Sequence, residues 1–216
     1  MKPDLILCDF DGTLSERDIG TAIIERWCAI DWRTLEDRWQ NGLASSRDNM
    51  TQQWAAVSAT PDEIVRFAAA ERPRAGAMRF LERAAKAGTR VVVASDGLDL
   101  YIEPFLAAHG MDRLVTLYCA SMRAEPDGWR LETPCARPDR CRFATCKCAV
   151  MEEVLPPGGK FILIGDGASD VCVAERANLV FARSKLLEYA RANGLDCVAF
   201  ETFDEISDHL FGLEDR

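Results

Sequence analysis

Histidine is almost missing from this sequence: 216 residues contain two, His109 and His209. His109 precedes Gly110 at what reads as a helix end, and His209 sits in an acidic C-terminal helix. Both therefore read as capping or surface residues rather than catalytic bases. Chemistry must then run on carboxylates, lysine, serine or thiols. The sequence also has no run of eighteen apolar residues, so no membrane-spanning helix and no membrane partner are expected. Met1-Lys2-Pro3-Asp4 reaches an acid without the long apolar stretch of a signal peptide, so no export is expected. Positive charge is short: 26 Lys and Arg stand against 35 Asp and Glu, a net charge of −9. Nucleic acid is not an expected partner, because phosphate contacts need a basic face. Part of the acidic excess is local, with six acids and one base between Glu201 and Arg216, which reads as a solvated C-terminal helix and tail. No internal repeat and no low-complexity segment is visible.

What is present is globular in character, 48% apolar and 28% charged, and long enough for one domain or one domain with a large insertion. Nine cysteines without an export signal point to a reducing, cytoplasmic location rather than a disulfide framework. Short apolar runs recur, each ending abruptly in turn-forming polar residues. Leu5–Cys8 leads into Asp9-Phe10-Asp11-Gly12-Thr13, Arg90–Ala94 into Ser95-Asp96-Gly97, Phe161–Ile164 into Gly165-Asp166-Gly167, and Leu179–Ala182 into Arg183-Ser184. Cys197–Phe200 is a weaker fifth. Helical patterns alternate with these runs, over 78–86, 98–108 and 184–192, each stopped by a glycine. The alternation predicts an α/β domain on a parallel sheet.

Between the first and second runs, roughly Ile19 to Glu71, there is no strand signal. Ile19, Ile23, Trp27 and Ile30 share a helical face, as do Met50, Trp54 and Val57. Thr60-Pro61-Asp62-Glu63 has the N-cap, first-turn proline and reciprocal glutamate of a capping box. A helical bundle inserted after the first strand is the expectation, set over the sheet's carboxyl edge. Four of the five tryptophans fall in it (Trp27, Trp32, Trp39, Trp54), and their helical spacing reads as bundle core.

Ligands in an open parallel sheet sit beyond the strands' carboxyl ends. Asp9, Asp11, Ser95, Asp166 and Asp170 all fall just after strand ends, so the topology gathers them at one edge. Singly each is an ordinary turn former. Together, acids at the mouth of one strand after another repel one another unless a cation holds them. Carboxylates with a backbone carbonyl suit Mg²⁺. A calcium loop starting at Asp9 fails on spacing, because Thr13 and Gly20 occupy its fifth and twelfth positions. A dinucleotide fingerprint at Gly165–Asp170 fails because a charged Asp170 stands where the last glycine is needed.

These residues resemble the motifs of the haloacid dehalogenase-like (HAD) phosphatases. Leu5-Ile-Leu-Cys-Asp9-Phe-Asp11-Gly-Thr-Leu14 resembles the first motif, Val91–Ser95 the second, Lys147 at a helix start the third, and Gly165-Asp166-Gly-Ala-Ser-Asp170 the fourth, all in the family's order. The resemblance implies a Rossmann-like core, 1–16 with 73–216, and a helical C1 cap, 17–72, as in the branch that includes phosphoserine phosphatase. It implies Asp9 as nucleophile and Asp11 as acid and base. Asp9, Asp11 (through its carbonyl) and Asp166 would hold Mg²⁺, and Asp170 would bind it through water or orient Lys147. Gly12, Ser95, Asp96 and Gly97 would surround the phosphate, with Lys147 neutralising charge. Asp11 also argues against a dehalogenase, which lacks that second acid. Within the branch, the Cys-rich stretch before Lys147 and Phe181-Ala-Arg-Ser-Lys185-Leu-Leu are most similar to the methionine-salvage phosphatases, which act on 2-hydroxy-3-keto-5-methylthiopentenyl-1-phosphate. Phosphoserine, phosphocholine or phosphoethanolamine, and pyridoxal-phosphate phosphatases are alternatives, as is a phosphotransferase or mutase on the same core. The partner implied is a small phosphorylated metabolite, and the chain is expected as a monomer or homodimer.

Two cap positions are further candidates for substrate contact. Asp18 resembles an acid often found there in this branch, and Arg47 could meet a substrate anion, although most such arginines are solvated or paired at the surface. Cys135, Cys141, Cys146 and Cys148 could hold a structural Zn²⁺ on the loop leading to Lys147. Their spacing lacks a paired C-x2-C, so free or redox-active thiols are the alternative. Cys8, Cys172 and Cys197 read as small core residues.

Overall fold

The computed structural model describes residues 3–125 and 128–212, so Met1, Lys2 and the last four residues of the acidic tail lie outside the described residues. Strand β1 (Leu5–Cys8) ends in a tight turn, Phe10–Leu14, and four inserted helices follow: α1 (Ile19–Trp27), α2 (Trp32–Gln40), α3 (Ser46–Ala55) and α4 (Pro61–Ala70). Next come α5 (Ala77–Lys86), β2 (Arg90–Leu98), α6 (Asp99–Ala108), β3 (Thr116–Glu125), β4 (Gly128–Glu132) and α7 (Lys147–Val154). The chain closes with β5 (Phe161–Gly165), α8 (Val171–Ala174), β6 (Leu179–Ala182), α9 (Ser184–Ala192), β7 (Cys197–Ala199) and α10 (Phe203–Phe211).

The strands form one sheet in the order β4-β3-β2-β1-β5-β6-β7, parallel throughout except for the antiparallel β3–β4 edge pair. Every strand that the apolar runs predict is present. β1 is central, pairing Leu7 with Val92 on one side and Leu163 on the other. Alternate side chains enter separate cores, as the pleat demands. Ile6, Cys8, Val93 and Ile164 face Phe80, Phe105 and Phe203, whereas Leu5, Leu7, Val92 and Leu163 face Val150, Val173 and Leu186. Helices on both sheet faces explain why these strands read as unbroken apolar runs. β3 and β4 form the sheet edge, and β3 is partly exposed, so its sequence carries no such run.

β2 continues past its expected end at Ala94. Ala94 aligns with Tyr118 and Leu98 with Ala120, so Ser95, Asp96 and Gly97 bulge against a single residue of β3. A bulge of this kind re-aims side chains at a sheet edge. In the inserted helices, the capping box of Thr60 and Glu63 forms as expected, and Ser45 with Asp48 makes a second one on α3. The chain leaves and re-enters the core through two adjacent segments: Glu16 N–H donates to Arg72 O at 2.9 Å and Arg74 N–H to Leu14 O at 2.9 Å. No helix among the described residues is long and apolar enough to cross a membrane.

Candidate active site

Asp9 follows the last residue of β1, and its N–H donates to Ile164 O of β5 at 2.9 Å, continuing the parallel ladder by one step. Its carboxylate is 7% exposed, accepting from Phe10 N–H at 2.7 Å and from Lys147 Nζ at 2.8 Å. The turn after it needs glycine: Gly12 has φ +71°, and a Cβ there would lie 2.9 Å from Asp166 Oδ2. Thr13, fully buried, donates to Asp166 Oδ1 at 2.7 Å and ties this turn to the end of β5. Lys147 opens α7, and its ammonium also reaches Asp170 Oδ1 at 2.5 Å. The other Asp170 oxygen accepts from the N–H groups of Asp166 (3.2 Å) and Gly167 (3.1 Å). Asp170 thus orients Lys147 and the loop together.

Among the described residues, Asp9, Asp166 and Asp170 are the one group of three or more His, Cys, Asp or Glu whose ligand atoms all lie within 4.8 Å of one another. Burial and then the Asp170 carboxylate push the Asp9 carboxyl well up, opposed chiefly by Lys147. Burial likewise raises Asp166. Three carboxylates against one lysine leave two formal negative charges, and oxygen-only donors with that charge fit a hard divalent ion. The residues present therefore fit Mg²⁺.

Asp11 lies two residues beyond Asp9, turned toward the inserted helices. It accepts from Tyr101 Oη at 2.7 Å and from the N–H groups of Ile19 (2.8 Å) and Gly20 (3.3 Å) at the start of α1. Burial, with Asp18 adding to it, raises its carboxyl to about 8 despite those donors. Asp18 lines the same cleft and caps α1, accepting from Thr21 N–H at 2.6 Å. Ser95 is 1% exposed, and its Oγ accepts from Gly97 N–H at 3.0 Å. Asp96 joins three segments: its carboxylate accepts from Ser46 Oγ of α3 and from Thr145 N–H at 2.8 Å on the loop before α7.

These groups border a cleft of about 460 Å³ between sheet edge and inserted helices. Asp9, Asp11, Asp18, Ser95, Asp96, Gly97 and Asp166 all line it. Arg47 does not: α3 turns Ser46, Asn49, Met50 and Gln53 toward the cleft and leaves Arg47 exposed. The tryptophans divide: Trp54 is part of the buried core, with Trp27 and Trp32 packed against it as expected, but Trp32, Trp39 and Trp54 also line the cleft. Trp32 and Trp39 share a face of α2 and Trp54 lies on α3, and all three look toward the cleft. Neither histidine lines it; His109 ends α6 and meets Glu71 O at 2.8 Å.

The thiols divide. Cys135, Cys141, Cys146 and Cys148 do not gather as one ligand set. Cys172, expected as core, is exposed, and its Sγ lies 3.4 Å from that of Cys148. The Cys172 hydrogen bond, helped by Arg176, lowers the Cys148 thiol to about 6. Burial pushes Cys141 up to about 11 and also raises Cys135 and Cys119. Thiolate is the nucleophile and forms as pH rises through the thiol's pKa. Iodoacetamide is therefore expected to alkylate Cys148 first, with its rate half-maximal near pH 6, ahead of Cys119, Cys135 and Cys141. Peptide mass mapping between pH 5 and 9 reads the order, and earlier labelling of Cys135 or Cys141 would contradict it.

Arg74 and Tyr101 carry no motif and were not legible beforehand. Arg74 is 8% exposed, and its guanidinium donates to the carbonyls of Gly12 (2.6 Å), Thr13 (2.8 Å), Glu16 (3.0 Å) and Ser15 (3.3 Å). It holds the turn after Asp9 by its main chain. Arg74→Met orphans several of those acceptors and is expected to cost about 2–4 kcal/mol in urea unfolding. An unchanged midpoint would show that the carbonyls find other donors.

A buried carboxylate at the end of a central parallel strand, paired with lysine and flanked by further acids, defines a hydrolase of the phosphoryl-transfer type. The haloacid dehalogenase-like hydrolase profile matches residues 6–175, and the chain belongs to that family, among its phosphatases. It is 30% identical over 212 residues to the 2-hydroxy-3-keto-5-methylthiopentenyl-1-phosphate phosphatase of an Exiguobacterium species, covering 96% of this chain and 97% of that one. The enzyme of the same name from Geobacillus thermodenitrificans is 30% identical over 219 residues, with 99% of each chain covered. Among solved structures, a phosphoserine phosphatase in its phospho-aspartyl intermediate analogue form superposes with TM-score 0.73 at 19% identity, covering 97% of this chain and 100% of that one. A HAD family hydrolase from Salmonella enterica serovar Typhi gives TM-score 0.76 at 14% identity, covering 100% of this chain and 73% of the other. Enzymes of this family generally use Mg²⁺.

Proposed function

We propose that the chain hydrolyses 2-hydroxy-3-keto-5-methylthiopentenyl-1-phosphate through a phosphoryl group carried on Asp9. The observation that carries the chemistry is the Lys147 ammonium held between Asp9 and Asp170 in a buried pocket, with Asp166 beside them. Asp9 attacks phosphorus, the bond from phosphorus to the substrate oxygen breaks, and Asp11 gives that oxygen a proton. Water then attacks the acyl phosphate, Asp11 takes its proton, and phosphate leaves with Asp9 restored. Ser95 Oγ and the N–H groups near Gly12 and Gly97 hydrogen-bond the transferring oxygens, while Lys147 neutralises them. Mg²⁺, held by Asp9, Asp166 and the Asp11 carbonyl, supplies further neutralisation when bound. Asp96 acts here by clasping α3 to the loop before α7, and Asp18 by shaping the cleft beside Asp11.

The substrate reading is supported by the relatives matched over their whole length and by the character of the cleft. Its described lining has no lysine or arginine, which disfavours the carboxylate of phosphoserine, whereas Trp32, Trp54 and Met50 suit a methylthio tail. A cationic alternative, phosphocholine or phosphoethanolamine, is favoured by the same tryptophans beside Glu36. We place the cap at 17–72 and the core at 1–16 and 73–216, supported by the paired crossings at Glu16–Arg72 and Leu14–Arg74. Phosphate release from a panel of these phosphomonoesters, with Mg²⁺ and with EDTA, tests the reading; a preference for phosphoserine would overturn the substrate.

Asp11→Asn removes the proton donor but keeps the shape. It is expected to lower kcat by about 10²–10⁴-fold on an alkyl phosphate. The loss on p-nitrophenyl phosphate should be far smaller in the first step, because nitrophenolate departs unprotonated. Equal first-step losses on both substrates would remove Asp11 from the acid role.

A further inference from the structure

The chemistry above uses the sheet edge and leaves Trp39 and Asn49, on the cap side of the cleft, without a role. Two buried polar atoms there have no hydrogen-bond partner, Trp39 Nε1 and Asn49 Oδ1, and both residues line the cleft. Their senses are fixed. An indole N–H can only donate. Asn49 Nδ2 donates to Glu36 Oε2 at 3.1 Å, and because a carboxylate offers no donor, the amide carbonyl must point away from it. Asn49 is 6% exposed, so solvent does not satisfy that carbonyl. Buried groups of this kind are costly when unpaired, and a ligand that pairs both recovers that cost. α2 and α3 therefore present one unspent donor and one unspent acceptor, joined through Glu36.

We propose that Trp39 and Asn49 are specificity-determining residues that select an uncharged leaving group carrying both a carbonyl-type acceptor and a hydroxyl donor. The leaving-group oxygen accepts from Trp39 Nε1–H, and its hydroxyl donates to Asn49 Oδ1. Glu36 is a positioning residue that sets the sense of the amide. Acids line this part of the cleft (Asp18 and Glu36) with no cation among the described lining residues, so an anionic leaving group is rejected. The assignment rests on the phosphatase reading and holds whichever hydroxy-ketone phosphate is the natural substrate.

The test compares kcat/KM for D-ribulose 5-phosphate, an open hydroxy-ketone chain, with that for n-pentyl phosphate, which has the same chain length and neither group. Wild type, Asn49→Leu and Trp39→Phe are measured with Mg²⁺, with folding checked by circular dichroism. A site built to pair such groups discriminates strongly against an analogue lacking them. The ribulose-to-pentyl ratio is expected to fall by about 10-fold or more in each variant. A change in the ratio below about 3-fold in the folded variants, or equal losses on both substrates, overturns the proposal. If Asn49→Leu does not fold, Trp39→Phe, which keeps the packed ring, decides it alone. Absence of phosphate release from every ester, p-nitrophenyl phosphate included, overturns the phosphatase reading itself. Release with an unmoved ratio overturns this assignment only.

Discussion

Asp9→Asn is expected to fold normally and to lose roughly 10⁵-fold or more in kcat on every phosphomonoester. Asparagine keeps the side chain's shape, with its one carbonyl oxygen accepting from Phe10 N–H and Lys147 left to Asp170. It removes one of three crowded carboxylates, and burial already makes the Asp9 charge costly. Without Mg²⁺ the variant should therefore melt at or above the parental temperature. A merely structural Asp9 would give the reverse, a less stable protein with proportionate activity. Calorimetry beside a phosphate-release assay separates the two.

Lys147→Met gives the second large effect, and here stability and catalysis fall together. Burial acts to lower the Lys147 pKa, but Asp170 and Asp9 outweigh it, so the ammonium stays charged throughout the working pH range. Removing it strands Asp170, whose side chain is fully buried, beside Asp9. Breaking such a pair from one side costs about 3–5 kcal/mol. A loss of about 10³-fold in kcat is expected with it, since the transferring oxygens lose a positioned charge. Adding Asp170→Asn should restore part of the stability, because the fully buried charge is removed while Asp9 and Asp166 remain, and none of the rate. Recovery of rate in the double variant would mean that Lys147 serves the fold alone.

Much of this was readable from the chain. Asp9, Asp166 and Asp170 each follow an apolar run, and a parallel sheet brings the carboxyl ends of its strands together whatever the loops do. Lys147 was less legible. It opens a helix after a long loop without strand signal, and only the resemblance singled it out. Thr13 lay inside a quoted motif, but its bond to Asp166 depends on the angle of the turn. Arg74 pairs with main-chain carbonyls, which leave no trace in side-chain identity. The tryptophans show the limit of periodicity: spacing puts Trp32, Trp39 and Trp54 on helical faces, but the tilt of the inserted helices decides whether those faces meet a core or a cleft. Asn49 and Gln53 were invisible for the same reason, as polar residues on a helix that would ordinarily face water. β3 and β4 escaped because strands at a sheet edge need not be apolar on both faces.

The most direct test is chemical trapping of the phosphorylated carboxylate. In the Asp11→Asn protein, which lacks the base for the second step, p-nitrophenyl phosphate should give a burst of nitrophenol and a phosphoenzyme that persists. Acid quenching, borohydride reduction and peptide sequencing by mass spectrometry should then find the reduced product, homoserine, at position 9. A full burst with the modification at another residue, or with none at position 9, would contradict Asp9 as the group that carries the phosphoryl.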